Sequence, residues 1–282
     1  MSINPSWQEQ EEIVRLVQLG EEGGVDLVGV QDHPYQWRFY DTWTLLSYLG
    51  GVTSRIRFFP DVVCLPLHPP AMLAKSAASL DVLTGGRVEL GLGAGSFWEA
   101  IGAMGGAVRS PSQAVEAMEE AIDVIRLVWS GERGVRYEGR HYQLSGLHTG
   151  PVPAHDMDIW IGARGPRMLD LIGRKADGWV PSASWAPPEA LPAYLSAIEE
   201  AATGAGRDPS SIRRVYNVGG SIGDTAGARF RGTPAQWIDE LAVVVELGID
   251  TFIFWPDGED RAGQVQRFAA EVVPGARAAV GG

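Results

Sequence analysis

The run from Pro69 to Gly95, Pro-Pro-Ala-Met-Leu-Ala-Lys-Ser-Ala-Ala-Ser-Leu-Asp-Val-Leu-Thr-Gly-Gly-Arg-Val-Glu-Leu-Gly-Leu-Gly-Ala-Gly, constrains this chain more than any other stretch. A proline pair opens an amphipathic helix, where a proline gives up only an N–H that has no partner in the first turn. The pair Gly85-Gly86 stops that helix. A short apolar strand, 87–92, follows and opens into Gly91-Leu-Gly-Ala-Gly95. A helix feeding a buried strand with a glycine-rich C-terminal mouth is the repeating unit of a parallel α/β barrel, and such mouths hold ligands.

The rest of the chain repeats this alternation. Helical periodicity covers 6–22, 41–52, 70–84, 112–129, 166–175, 188–203, 234–247 and 261–272. Between these lie short apolar runs at 26–30, 56–63, 87–92, 158–161, 178–180, 213–222 and 251–255, read as strands, with 96–110 read as loop. The alternating residues 135–144, around Glu138-Gly139-Arg140, predict a small hairpin outside the barrel. Seven or eight repeats favour a closed (β/α)8 barrel over an open doubly wound sheet. The whole of 1–282 reads as one such unit with an inserted segment at about 131–157. A first strand is expected to be missing: Met1-Ser-Ile-Asn-Pro is short and carries a proline, so either the start lies upstream or the barrel is open there.

Composition narrows the partners. At 45% apolar and 21% charged, 282 residues can build a large core. A net charge of −12 argues against a nucleic-acid groove or an anionic membrane surface. The polar, acidic start is no signal peptide, and no apolar stretch approaches the roughly 18 residues of a membrane span. A cytoplasmic protein acting on a small molecule is the expectation. Cys64, the single cysteine, sits among Val62, Val63 and Leu65 and reads as a small core residue. His68, His141, His148 and His155 show no metal-ligand spacing, so no metal is expected.

Four clusters carry chemistry. Asp32-His33 directly follows the strand 26–30, at a mouth where a histidine can exchange protons near neutral pH; the competing reading is a histidine bonded to a neighbouring loop. Gly91–Gly95 lacks the last glycine of a dinucleotide fingerprint; it is either a tight turn or a close approach of backbone to a flat ring or phosphate. Trp37, Phe97, Trp98 and Trp185 fall in loops after strands, as walls for a planar ligand or as plugs under those loops, and His68 lies at the mouth after 56–63. Gly162-Ala-Arg-Gly-Pro-Arg167 opens a helix after a strand, and its free N–H groups with Arg164 and Arg167 form the best anion cradle in an acidic chain, unless these are ordinary surface arginines.

Taken in order, Asp32-His33, Pro69–Gly95 with its Leu-Asp-Val-Leu-Thr-Gly-Gly-Arg core, Gly162–Arg167, Ala176-Asp177-Gly178-Trp179 and Glu271–Arg277 resemble the luciferase-like monooxygenase superfamily. Within it they resemble the branch that uses the deazaflavin coenzyme F420. The resemblance implies a TIM barrel of the bacterial luciferase type, commonly a homodimer. It also implies an oxidoreductase moving a hydride between the deazaflavin C5 and a small organic substrate, with His33 exchanging the proton and Asp32 positioning the ring. A bulge at Asp61-Val62 with a non-proline cis bond would back the ring, beside Gly93, Ala94 and Gly95. Gly162, Ala163, Arg164 and Gly165 would hold the phosphate tail. Trp37, His68, Ser96, Phe97 and Trp98 would line the substrate pocket. Ser96 stands where related sugar-phosphate dehydrogenases carry a glutamate, which favours a mostly apolar substrate beside Phe97, Trp98 and Met104. An FMN-dependent monooxygenase and a non-catalytic ligand-binding barrel are the rival readings.

Overall fold

The computed structural model describes residues 1–280. Its elements, in chain order, are β1 (Ser2–Ile3), α1 (Gln10–Glu22), β2 (Leu27–Val30), α2 (Thr42–Gly51), β3 (Arg57–Pro60), β4 (Val63–Cys64), α3 (Pro70–Thr84), β5 (Leu90–Gly93), α4 (Trp98–Ala103), α5 (Pro111–Trp129), β6 (Val135–Glu138) and β7 (Gln143–Leu147). They continue with β8 (Ile159–Ile161), α6 (Pro166–Lys175), β9 (Gly178–Trp179), α7 (Leu191–Gly204), β10 (Arg213–Ile222), β11 (Arg231–Gly232), α8 (Pro234–Glu246), β12 (Thr251–Pro256), α9 (Arg261–Arg267) and α10 (Val273–Val280).

Local chemistry sets the helix starts. Pro70, Pro111, Pro166 and Pro234 each occupy a first turn, and Ser110 with Gln113 closes a reciprocal capping box on α5. Gly85, at φ +73°, ends α3 in the left-handed conformation that a side chain resists.

All the barrel pairs are parallel. The β1-β2-β3 run and the β4-β5-β8-β9-β10 run, with β12 on β10, are joined where Phe58 bridges Val88. The third position of the ring is shared: β3 pairs with β2, and after the bulge Asp61-Val62 β4 pairs with β5. The Asp61-Val62 bond is cis. With β12 lying against β1, the ring closes as a TIM barrel.

The first strand is therefore present, which corrects the expectation that it is missing. Ser2 and Ile3 take register with Gly29 and Val30, and the Met1 amino group donates to the Leu27 carbonyl at 2.6 Å. Two residues suffice because β2 supplies the ladder partners and both Met1 and Ile3 are buried; Pro5, lacking an N–H, comes just after. Three smaller differences follow. The 96–110 loop contains α4. The predicted strand 56–63 is broken by the bulge, and the last helix turns through a π segment, Phe268–Val272, into α10. The expected hairpin forms as antiparallel β6 and β7.

Side chains alternate across each strand with period two, and this layers the barrel. Val28 and Val30 face the helices. Leu27, Phe59, Trp160, Val180, Val215 and Ile253 meet inside, with Phe59 edge-on to Trp160 at 5.1 Å. This plug divides the interior into two cavities. One, of about 410 Å3, lies at the N-terminal ends of the strands among Met1, Leu27, Trp160, Phe252 and Phe268. The other, of about 1100 Å3, opens at their C-terminal ends.

Candidate active site at the C-terminal mouth

Two residues above each plug position, the same alternation brings a polar layer to the floor of the larger cavity. Asp61 follows Phe59, Asn217 follows Val215, and Trp255 follows Ile253. The Trp255 indole donates to Asn217 Oδ1 at 3.0 Å, and Asn217 Nδ2 donates to Asp61 Oδ1 at 3.2 Å. Asp61 Oδ2 is buried and has no partner. Desolvation pushes the Asp61 carboxyl up to about 7, against the Asn217 hydrogen bond and, less, the Met1 amino group, which favour its charged form.

His33 lines one wall of this cavity. Its Nδ1 lies 2.7 Å from the Tyr35 hydroxyl, and its ring stands edge-on to Phe97 at 5.8 Å. Burial holds the Tyr35 phenol well above its usual range, so it stays protonated, and its oxygen can accept from Nδ1–H. In that tautomer the neutral ring turns the free lone pair of Nε2 outward as a proton acceptor. Burial also lowers the His33 pKa, with Asp32 opposing, so the ring is neutral at pH 7.

Asp32 sits behind that wall rather than on it. It is buried, its Oδ2 accepts from the Cys64 N–H at 2.8 Å and faces His68 Nε2 at 3.1 Å, and its Oδ1 has no partner. Its geometry ties the end of β2 to β4. His68 is taken up by that pair and does not line the cavity. Cys64 is a buried free thiol whose pKa burial pushes up to about 12, the core residue expected from its neighbours.

The glycine run divides by role. A Cβ on Gly93 would come within 2.8 Å of Val62 Cγ2, and one on Gly162 within 3.1 Å of the same atom. Those two glycines make room for the bulge. Gly95, at φ +97°, turns the chain over the Trp98 ring. Ala94, Gly95, Ser96 and Phe97 form a second wall of the cavity, with Val62 beside them, whereas Gly93 does not reach it.

The third wall is the start of α6, with Gly162, Ala163, Arg164 and Gly165. Among the described residues the N–H groups of Ala163, Arg164, Gly165 and Arg167 meet no acceptor. The Arg164 guanidinium lies over the Trp185 ring at 5.7 Å and has no carboxylate partner among the described residues, and Arg167 reaches the Ser112 hydroxyl. Free N–H groups, a helix amino end and two guanidiniums make an anion cradle.

Besides His68, the structure moves two further expected pocket residues away. Trp37 is 69% exposed and rests on Trp7 at 6.5 Å, and Trp98 packs beneath Gly95. Asn217, Trp255, Gln31, Ser182 and Ser184, absent from the sequence reading, line the cavity instead. Asn217 did carry a signal, as the lone amide in an otherwise apolar run on an inward register.

A model of the luciferase-like monooxygenase family matches residues 3–231. The chain belongs to that family. Among curated relatives, an F420-dependent hydroxymycolic acid dehydrogenase of Mycobacterium tuberculosis is 32% identical over 222 residues, 77% of this chain and 60% of the relative. An F420-dependent glucose-6-phosphate dehydrogenase of Nocardia farcinica is 30% identical over 217 residues, 73% of this chain and 63% of the relative. The matched region thus spans about three-fifths of these relatives. Among solved structures, an F420-dependent secondary alcohol dehydrogenase in complex with an F420-acetone adduct superposes with a TM-score of 0.88 at 20% identity, over 98% of both chains. That last likeness is one of fold.

Proposed function

We propose that this protein is an F420-dependent oxidoreductase that moves a hydride between the deazaflavin and a small, mostly apolar organic substrate. One observation carries the reading: a neutral His33 and the uncapped amino end of α6 open into one cavity across the Val62 bulge. The named activities of the two curated relatives support it.

The cavity fits the coenzyme in two respects. Glycines clear space around the bulge for a flat ring, and unbonded N–H groups with Arg164 await an anionic tail. When bound, the deazaflavin supplies the hydride chemistry at C5. His33 accepts or returns the matching proton at Nε2, and Asp32 is a positioning residue that fixes β4 beneath the ring site. Gly162–Gly165 and Arg164 hold the tail. Ser96 and Phe97 wall the substrate side without a carboxylate, which suits an apolar partner.

No described helix is long and apolar enough to cross a membrane. We place the protein in the cytoplasm as a homodimer, supported by the large apolar side chains of Tyr48, Met72 and Leu83 exposed on α2 and α3; light scattering that returns a monomer overturns the dimer.

The deciding experiment is titration with F420 and, separately, FMN, following tryptophan fluorescence. Trp185 and Trp255 line the cavity and report its filling. Saturable quenching by F420 alone is expected. Tighter binding of FMN would assign the protein to the FMN-dependent monooxygenases, and binding of neither would mark a non-catalytic barrel.

A further inference from the structure

The floor of the mouth cavity contains a carboxyl oxygen whose hydrogen-bonding capacity is unmet among the described residues. An indole N–H can only donate, so the Asn217 atom facing Trp255 is its carbonyl oxygen. The amide is thereby oriented with Nδ2 toward Asp61, and Asp61 Oδ1 is committed as an acceptor. The remaining atom, Oδ2, is the one place on the carboxyl for a proton, and it is buried without a partner in the chain.

Among the described residues no cation pairs with this carboxyl. From β1 the Met1 amino group exerts a field on it, yet burial lowers that amine to about 5, so it is largely uncharged at pH 7. β10 and β12 contribute only the neutral Asn217 and Trp255. Across the cavity lie neutral His33, Arg164 beside Trp185, Arg167 on Ser112, and Asp257 paired with Arg231. An ionised carboxylate in such a place is costly, whereas a carboxylic acid needs only an acceptor.

We propose that Asp61 stands protonated beneath the mouth and donates from Oδ2 to an electron-rich acceptor on the ligand, a carbonyl oxygen or an unprotonated ring nitrogen. This rests on the F420 reading, because the deazaflavin ring system offers such acceptors. Asp61 is thus a ligand-contacting donor, and its bond to ligand is made only in the acid form.

Two measurements on the intact protein test it. In the ligand-free protein, infrared spectroscopy should show a protonated-carboxyl carbonyl band that is lost as the pH rises through about 7 and that is absent from Asp61→Asn. The F420 dissociation constant should then weaken by up to about tenfold per pH unit above that midpoint. Asp61→Asn keeps a donor in the same place, so it should bind F420 at low pH like the wild type and lose the pH slope. A wild-type carboxyl ionised at every pH, or an Asn variant with an unchanged slope, overturns the proposal. A titrating carboxyl in a protein that binds F420 at no pH overturns the F420 reading and the donation to it, and leaves the protonated acid as the surviving observation.

Discussion

The two ends of the barrel hold similar side chains in opposite conditions. At the N-terminal end the charges are matched. Glu89 pairs with Arg57, accepts the Asp158 N–H and lies beside His155; Asp26 meets Arg277, and Arg213 meets Asp250. Arg57 Nε is the exception, buried without a partner. At the C-terminal end Asp61 Oδ2, Asp32 Oδ1 and the N–H groups leading into α6 are left open. Buried polar groups are normally satisfied, so the end that leaves several unsatisfied is the end shaped for something else to complete. The lower end is the better satisfied, and the upper end is the one our proposal assigns to chemistry, in keeping with the polarity of parallel barrels.

That contrast can be broken from either side. The largest effect is expected at His33. His33→Ala should cut turnover by roughly 10²–10⁴ while F420 affinity stays near the wild-type value; full activity would remove the histidine from the reaction. Because burial lowers its pKa, His33 remains neutral at pH 7 and takes up a proton only below the ordinary histidine value of 6.5. In the direction that needs a proton acceptor, the rate should therefore hold at neutral pH and fall only in more acidic buffer.

At the other end, Glu89→Ala leaves the Asp158 N–H without its acceptor and removes one partner of Arg57, which is 42% exposed and keeps His155. It should cost about 1–2 kcal/mol in urea unfolding with F420 affinity unchanged. A loss of binding without loss of stability would erase the division of labour.

Asp61 lies at the upper end yet carries a stability signature. Its folded pKa, about 7, is above the ordinary aspartate value of 3.8, so between those values the folded state binds more protons than the unfolded one. Stability from this group is therefore highest in acid and declines as pH rises toward 7. Asp61→Asn should gain on the order of 2–3 kcal/mol over the wild type at pH 8, narrowing to little near pH 4. Equal melting temperatures at pH 8 would show the carboxylate to be solvated.

The smallest effect sharpens the cradle. Arg164→Ala should weaken F420 about tenfold, or about 1.4 kcal/mol, and flatten the salt dependence of binding without moving the melting temperature. A variant that binds like the wild type would leave the α6 N–H groups as the whole cradle.

How far the sequence revealed this depends on what each residue needs in order to be seen. The helices behind Pro70 and Pro166 were legible because a proline start acts locally, and those at 112–129 and 234–247 because their apolar period is long enough to see. The cavity position of His33 followed from its place after a strand. β1 was not legible, since two residues carry no periodicity and take their strand character from β2. α4 was hidden among Gly102, Gly105 and Gly106. The Asp61–Asn217–Trp255 layer required ring closure, which unites residues far apart in the chain.

The segment that most plainly carried the family resemblance has a structural role. Asp81 accepts from the Val88 and Ala154 N–H groups, and Arg87 donates to the Gly50, Ile56 and Thr84 carbonyls. Strong resemblance there speaks for the scaffold, while the residues our proposal relies on, His33, Asp61, Ser96 and Phe97, lie outside that segment or at its very end.

One attachment on the outside of the barrel has a wider implication. The β6–β7 hairpin is held largely from one helix: Glu120 of α5 accepts the N–H groups of Arg140, His141 and Tyr142 at 2.8, 2.8 and 3.0 Å, Glu116 meets Arg140 and His141, and Asp123 accepts from the Tyr137 hydroxyl. The turn is thus plugged into carboxylates of α5, at a point remote from the strand ladders. Arms carried on such a socket can change in length or side chains without altering the pairing of the barrel strands, so the protrusion can take on new contacts independently of the fold.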